Sequence, residues 1–192
     1  MNAGSGFNYR VRRMKSKDIA QVAALEKLVF ADPWPEIAYV QEVYFNPIAR
    51  YFVLETWMTA PHMRRLFWRQ FTDVKIQGFA GVRAEAGQGH ISTLAVHPRW
   101  RGYGFGELLL ITVLQTAVSM DAQNVTLEVR VSNRRAKSLY RKYAFYAIKK
   151  ITRYYKDGED AVLMGVDTSD AGYDRWLQAR RQALEQRIAR LQ

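Results

Sequence analysis

The chain has 192 residues, of which 48% are hydrophobic and none is cysteine, and it carries a formal net charge of +11. This length and apolar content suit one folded domain with room for an appendage, and they argue against disorder. The missing cysteines exclude disulfides, thiolate metal sites and a cysteine nucleophile. With no membrane-length apolar run and no charged-then-apolar leader, the expectation is a cytoplasmic protein that does not enter membranes.

In chain order, the alternation over 8–14 predicts an edge strand. Ser16 reads as the cap of a helix whose apolar positions are Ile19, Val22, Ala23, Leu25, Leu28 and Val29. Asp32-Pro-Trp-Pro breaks that helix, and a second is expected over 36–45, ended by Asn46-Pro47. Strands are expected at 51–55 and 75–84. The aromatic and basic segment 57–73 between them reads as a self-packed flap with a short helix opening at Pro61. A strand over 90–96 feeds a glycine-rich loop and a helix over 104–120. A strictly alternating strand follows at 124–131, then a helix over 133–143 capped by Ser132 or Asn133. Residues 146–155 and 160–166 flank Lys156-Asp-Gly-Glu as a hairpin. The last helix, 171–192, has Leu177, Leu184, Ile188 and Leu191 in one stripe and five arginines elsewhere. The order predicts an α/β fold, a mixed sheet with helices on both faces. The domain expected is 1–168, with 169–192 as an arginine-rich helical extension.

The stretch most suited to ligand chemistry is Leu94-Ala-Val-His-Pro-Arg-Trp-Arg-Gly-Tyr-Gly-Phe-Gly, which opens into Glu107 and a run of leucines. A glycine loop between a strand and a helix start suits an anion, because the backbone can approach closely and the first helical N–H groups lack partners. Arg99 and Arg101 add charge. It is not a Walker loop, since Glu-Leu replaces Lys-Ser/Thr, nor the G-x-G-x-x-G dinucleotide fingerprint, since the spacing is G-x-G-x-G. Nine basic residues and no acidic one lie between Asn133 and Lys156. They form either a solvated face or an attractive field for a phosphorylated ligand or acidic partner.

Glu128 shares a strand face with Thr126 and Arg130. It reads either as a surface carboxylate paired with Arg130 or as a general base. Tyr140, on the next helix, either packs on the sheet or donates its phenolic proton to a leaving group. His62, His90 and His97 have no metal-ligand spacing, so no metal is expected, and His97 before Pro98 reads as a turn residue.

Together these segments resemble the GNAT superfamily of acetyl-CoA-dependent N-acetyltransferases over about Val11 to Val166, with the RimI subfamily the nearest in pattern. The resemblance rests on Leu94-Ala-Val-His-Pro-x-x-Arg-Gly-x-Gly-x-Gly, Leu127-Glu-Val-Arg-x-Ser-Asn, Ser138-Leu-Tyr-x-x-x-x-Phe145, and Arg153-Tyr-Tyr with Asp157-Gly-Glu-Asp. It implies a mostly antiparallel central sheet and acetyl-CoA as co-substrate. Leu94, Ala95 and Val96 would meet the pantetheine arm. Arg101, Gly102, Tyr103, Gly104, Phe105, Gly106 and Glu107 would wrap the diphosphate, and Asn133 would bond the coenzyme. Glu128 would be the base and Tyr140 the acid in a direct transfer.

The implied acceptor is a protein N-terminus, the N-terminal alanine of a small-subunit ribosomal protein, with Trp34, Tyr154 and Tyr155 walling its site. Alternatives are a lysine side chain or small amine as acceptor, or a non-catalytic basic adaptor on ribosomes or RNA; direct nucleic-acid binding is not favoured. Ala144 departs from the subfamily, which has glycine there, and segment 57–73 and the last helix are additions to it.

Overall fold

The computed structural model describes residues 7–58 and 74–191. Seven strands form one sheet: β1 (Phe7–Arg13), β2 (Ala49–Met58), β3 (Lys75–Glu85), β4 (Gln88–Val96), β5 (Asn124–Arg130), β6 (Tyr146–Ile151) and β7 (Ala161–Asp167), in the order β1-β2-β3-β4-β5-β7-β6. All neighbours run antiparallel except β4 and β5. The helices are α1 (Ile19–Val29), α2 (Glu36–Val40), α3 (Phe105–Ser119), α4 (Arg134–Arg141) and α5 (Tyr173–Ala189). The expected mixed, mostly antiparallel sheet with helices on both faces is the fold observed. The expected flap, with its helix at Pro61, falls almost wholly on 59–73, outside the described residues; Trp57 and Met58 finish β2.

Two details of the sheet position the site. The parallel β4–β5 pairing covers only Gln88–His90 against Asn124–Thr126, and beyond it the two strands diverge. On its other side β4 stays bonded to β3 as far as Val96, with one register slip that leaves Ser92 without an opposite residue. A bulge of this kind turns a strand locally. The backbone of Leu94 to Val96 is therefore paired on one edge only, and the other edge faces the opening between β4 and β5.

The apolar side chains form two clusters. One gathers α1 and α2 against β2 to β4, through Val22, Leu25, Tyr39, Val53 and Phe79. The other packs α3 and α5 on the opposite face, through Leu108, Leu109, Ile111, Val125, Leu177 and Ile188. Leu108, Leu109, Leu110 and Ile111 are all buried although consecutive, so α3 is buried around most of its circumference. Such a helix needs cover on its outer surface as well as its sheet side. That cover is α5, whose Leu177, Leu184 and Ile188 are buried as expected, while Leu191 is exposed.

Other details depart from the sequence reading. Ser16 lies inside a short 3-10 turn, and Asp18 takes the local backbone bond, accepting from Lys15 N at 2.8 Å. On α1, Leu28 is exposed and Glu26 is buried, the reverse of the hydrophobic pattern. The second helix passes into a π turn over Gln41–Phe45. Strand β6 ends at Ile151, so Tyr154 and Tyr155 belong to the connection to β7. There Arg153 adopts φ +50°, and Gly158 N donates to Tyr155 O.

Candidate active site

Two cavities meet at the opening between β4 and β5. The first, about 540 Å³, is walled by Leu94, Ala95, Val96, Arg101, Gly102, Gly104, Gly106, Glu107 and Asn133. Gly102 and Gly104 have φ +96° and +91°, conformations that strongly favour glycine. Gly104 is the residue before α3, so the first amides of α3 open onto the loop. Arg101 Nε donates to Val96 O at 3.3 Å, tying the loop to the strand end. His97 is a turn residue as expected: its Nδ1 accepts from Arg99 N at 3.2 Å.

Not all of the glycine motif faces this cavity. Tyr103 and Phe105 turn their rings into an aromatic group with Phe7 and Trp100, at centroid distances of 4.9 to 6.1 Å, and so anchor the loop from behind. Glu107 is nearly buried and accepts from Tyr143 Oη at 3.0 Å and Arg187 Nη2 at 2.8 Å. Burial raises its pKa, but those two bonds outweigh it, and the carboxyl stays below its usual range. Arg135, Lys142 and Arg187 also line the cavity. The basic stretch is thus not one face: Arg135 and Lys142 point here, whereas Lys150 pairs with Asp160 and Lys156 with Asp32.

The second cavity, about 570 Å³, shares Phe30, Leu94, Asn133, Ala136 and Leu139 with the first and contains both Glu128 and Tyr140. Glu128 does not pair with Arg130, which is held by Asp157 and Glu159 at 2.7 and 2.8 Å. Its neighbour is His90: Nε2 lies 3.3 Å from Glu128 Oε2, and Nδ1 lies 3.2 Å from Thr126 Oγ1. Burial depresses the His90 pKa in spite of the Glu128 charge. Tyr140 is buried beside Phe145, and burial, with a smaller effect from Tyr155, holds its phenol well above the usual tyrosine range. Asn133 caps α4, its Oδ1 accepting from Ala136 N at 3.0 Å, which sets it at the junction of the two cavities.

Trp34, Tyr154 and Tyr155 all line this second cavity. Trp34 is fixed through its backbone N–H to Glu26 Oε1 at 3.1 Å, and Tyr39 Oη donates to Glu26 Oε2 at 2.8 Å. Burial outweighs these bonds and raises the Glu26 pKa. Tyr155 lies under Arg130, whose guanidinium carbon is 3.9 Å from the ring centroid, and its hydroxyl is pushed up to about 12 by burial. Sequence reasoning missed His90, Glu26 and Arg187 as members of the site. Glu26 carried a signal, a carboxylate on the apolar face of α1. His90 and Arg187 carried none, because their neighbours are distant in sequence.

Among the described residues no cluster of histidine and carboxylate side chains is arranged to hold a metal, and no helix is long and apolar enough to cross a membrane. The first cavity does fit a coenzyme with a diphosphate: it has helix-start amides without intrahelical partners, a turn in which Gly102 and Gly104 take positive φ, and converging cations.

Comparison with known proteins agrees. Residues 29–145 match the acetyltransferase (GNAT) family. A Bacillus subtilis protein provisionally named a ribosomal protein bS18-alanine N-acetyltransferase is 31% identical over 161 residues, 83% of this chain and 96% of that protein. An N-alpha-acetyltransferase of Sulfurisphaera tokodaii is 31% identical over 168 residues, 84% and 95% of the two chains. The crystal structure of the Escherichia coli ribosomal-protein-S18-alanine N-acetyltransferase superposes with a TM-score of 0.68 at 23% identity, covering 86% of this chain and 97% of that one. With the strand opening, the glycine loop and these relatives in one chain, the protein belongs to the acetyltransferase (GNAT) family and is an N-acetyltransferase that uses acetyl-CoA.

Proposed function

We propose that this enzyme acetylates the α-amine of a protein N-terminus, with the N-terminal alanine of a small-subunit ribosomal protein as its substrate. The observation that carries this reading is that Glu128 and Tyr140 line one cavity, which joins the glycine-loop cavity at Leu94, Asn133 and Leu139. The acceptor alanine is taken from the Bacillus subtilis relative, and the α-amine also from the archaeal one.

Bound acetyl-CoA supplies the acetyl group as a thioester. The amides of Leu94 to Val96 and of the α3 start, with Arg101, hold the coenzyme, and Asn133 sits beside its arm. An N-terminal ammonium, with a reference pKa of about 8, is not a nucleophile until it loses a proton. Glu128 accepts that proton at a carboxylate oxygen. Tyr140, kept protonated by burial, donates from Oη to the departing thiolate. Transfer passes directly from thioester to amine, and the chain has no cysteine thiol to carry the acetyl group. Trp34, Tyr154 and Tyr155 flank the incoming peptide.

The test is incubation with acetyl-CoA and peptides that carry free N-terminal Ala, Ser or Met, beside N-blocked peptides with one lysine, read by mass spectrometry. The expected product is acetylation of free N-termini, alanine foremost. Acetylation of the lysine peptides alone would overturn the reading.

A further inference from the structure

We propose that Arg187, near the end of α5, is a direct ligand of the coenzyme phosphates, so that the C-terminal helix forms one wall of the coenzyme site. The proposal rests on the glycine loop being the phosphate site. The family match ends at residue 145, so α5 lies outside it.

The helix is seated on the loop itself. A Cβ at Gly104 would lie 2.8 Å from Leu184 Cδ1, 3.3 Å from Arg187 Nη2 and 3.4 Å from Ile188 Cγ1. Leu184 and Ile188, three residues before Arg187 and one after it, are buried, so the guanidinium is aimed by a fixed backbone. It lines the same cavity as Gly102, Gly104, Arg101 and Lys142. A guanidinium has five N–H donors in a planar fork, and the bond to Glu107 uses one of them. The side chain is 56% exposed, which leaves the rest of the fork open to a ligand.

Charge makes the same point. Glu107 is a carboxylate in the first turn of α3, and its lowered pKa keeps it ionised at neutral pH. That charge suits the helix dipole but repels a diphosphate at the same place. Arg187 cancels it and brings further donors of its own. With Arg101 and Lys142, three cations then surround the loop.

The experiment is calorimetric titration of CoA into the full chain, its Arg187→Ala and Arg187→Lys variants and the double variant Glu107→Gln/Arg187→Ala, each with its unfolding midpoint recorded. Arg187→Ala is expected to weaken CoA about tenfold, a charge-assisted bond's worth, and Arg187→Lys to recover part of the loss. The gap should narrow as salt rises from about 50 to about 500 mM. The double variant should remain weak. An Arg187→Ala affinity within twofold of wild type overturns the proposal, and so does a double variant that binds like wild type, since Arg187 would then act only through Glu107. If Arg187→Ala fails to fold, Arg187→Gln, which keeps much of the stem, decides in its place. A wild-type chain that takes up no CoA overturns the phosphate-loop reading itself, a result distinct from unchanged binding in the variant.

Discussion

Glu128 and Tyr140, the proposed base and acid, sit in opposite surroundings. The carboxylate sits on a strand face that opens to the cavity, a fifth exposed and beside a half-buried histidine. The phenol lies in apolar surroundings that disfavour its anion. Glu128→Gln keeps the shape and removes the basic oxygen. We expect kcat to fall about 100-fold with CoA affinity unchanged, read by steady-state kinetics alongside calorimetry. Tyr140→Phe keeps the ring packed on Phe145 and removes only the donated proton. Its expected effect is a loss in kcat of about tenfold or more; an equal loss in coenzyme affinity would reduce Tyr140 to a packing residue. His90, 3.3 Å from Glu128, has its pKa lowered by burial in spite of that carboxylate's charge.

Single elements carry two further consequences. The turn after α4 places Ala144 at φ +63°. A left-handed L-residue costs about 1 kcal/mol, and Ala144 is exposed, with little packing to lose. Ala144→Gly is therefore expected to raise stability by about 1 kcal/mol, or about 2–4 °C in unfolding midpoint. Helix α5 is the cover that a buried α3 requires. Leu177 is fully buried in that contact, and Leu177→Ala should cost about 3 kcal/mol in denaturant unfolding, the loss of a core leucine with the cavity it leaves. A loss of a few tenths would make α5 a loosely attached appendage.

For the molecule as a whole, the +11 charge is managed by pairing and by the site. A buried charge network knits β1 to β2 and to the start of α1. Arg12 bonds Asp18 Oδ2 at 2.5 Å and Oδ1 at 2.8 Å, and it bonds Glu55 as well, with both carboxylates almost fully buried. Burial raises the pKa of each, but the Arg12 bonds, with Lys15 N–H on Asp18 and Arg10 on Glu55, outweigh it, so both lie below their ordinary values. The sign follows. Protons bind more tightly to these groups in the unfolded chain, so the stability they contribute is complete above about pH 4–5 and is lost as pH falls through the lower folded values. Arg12→Ala leaves two buried carboxylates short of a partner. We expect it to cost about 3 kcal/mol at pH 7 and clearly less at pH 4, measured by urea unfolding at both values.

The amino-acid sequence by itself determined the order of strands and helices and the glycine-rich loop between β4 and α3, and it offered Glu128 and Tyr140 as candidate proton carriers. Those features are local: alternation, helical periodicity and glycine spacing act within one or two elements. Leu28, expected on the apolar face of α1, is exposed, and Glu26 on that face was passed over, because a hydrophobic pattern cannot foresee that Trp34 and Tyr39 bring an N–H and a buried hydroxyl to its carboxylate. Only the tertiary structure decided that Glu128 faces His90 and not Arg130, that Tyr103 and Phe105 brace the loop from behind, and that Arg187 reaches it from 80 residues beyond Glu107. Each of those contacts joins residues far apart in the chain, and their geometry exists only after the sheet has opened between β4 and β5 and α5 has closed over α3.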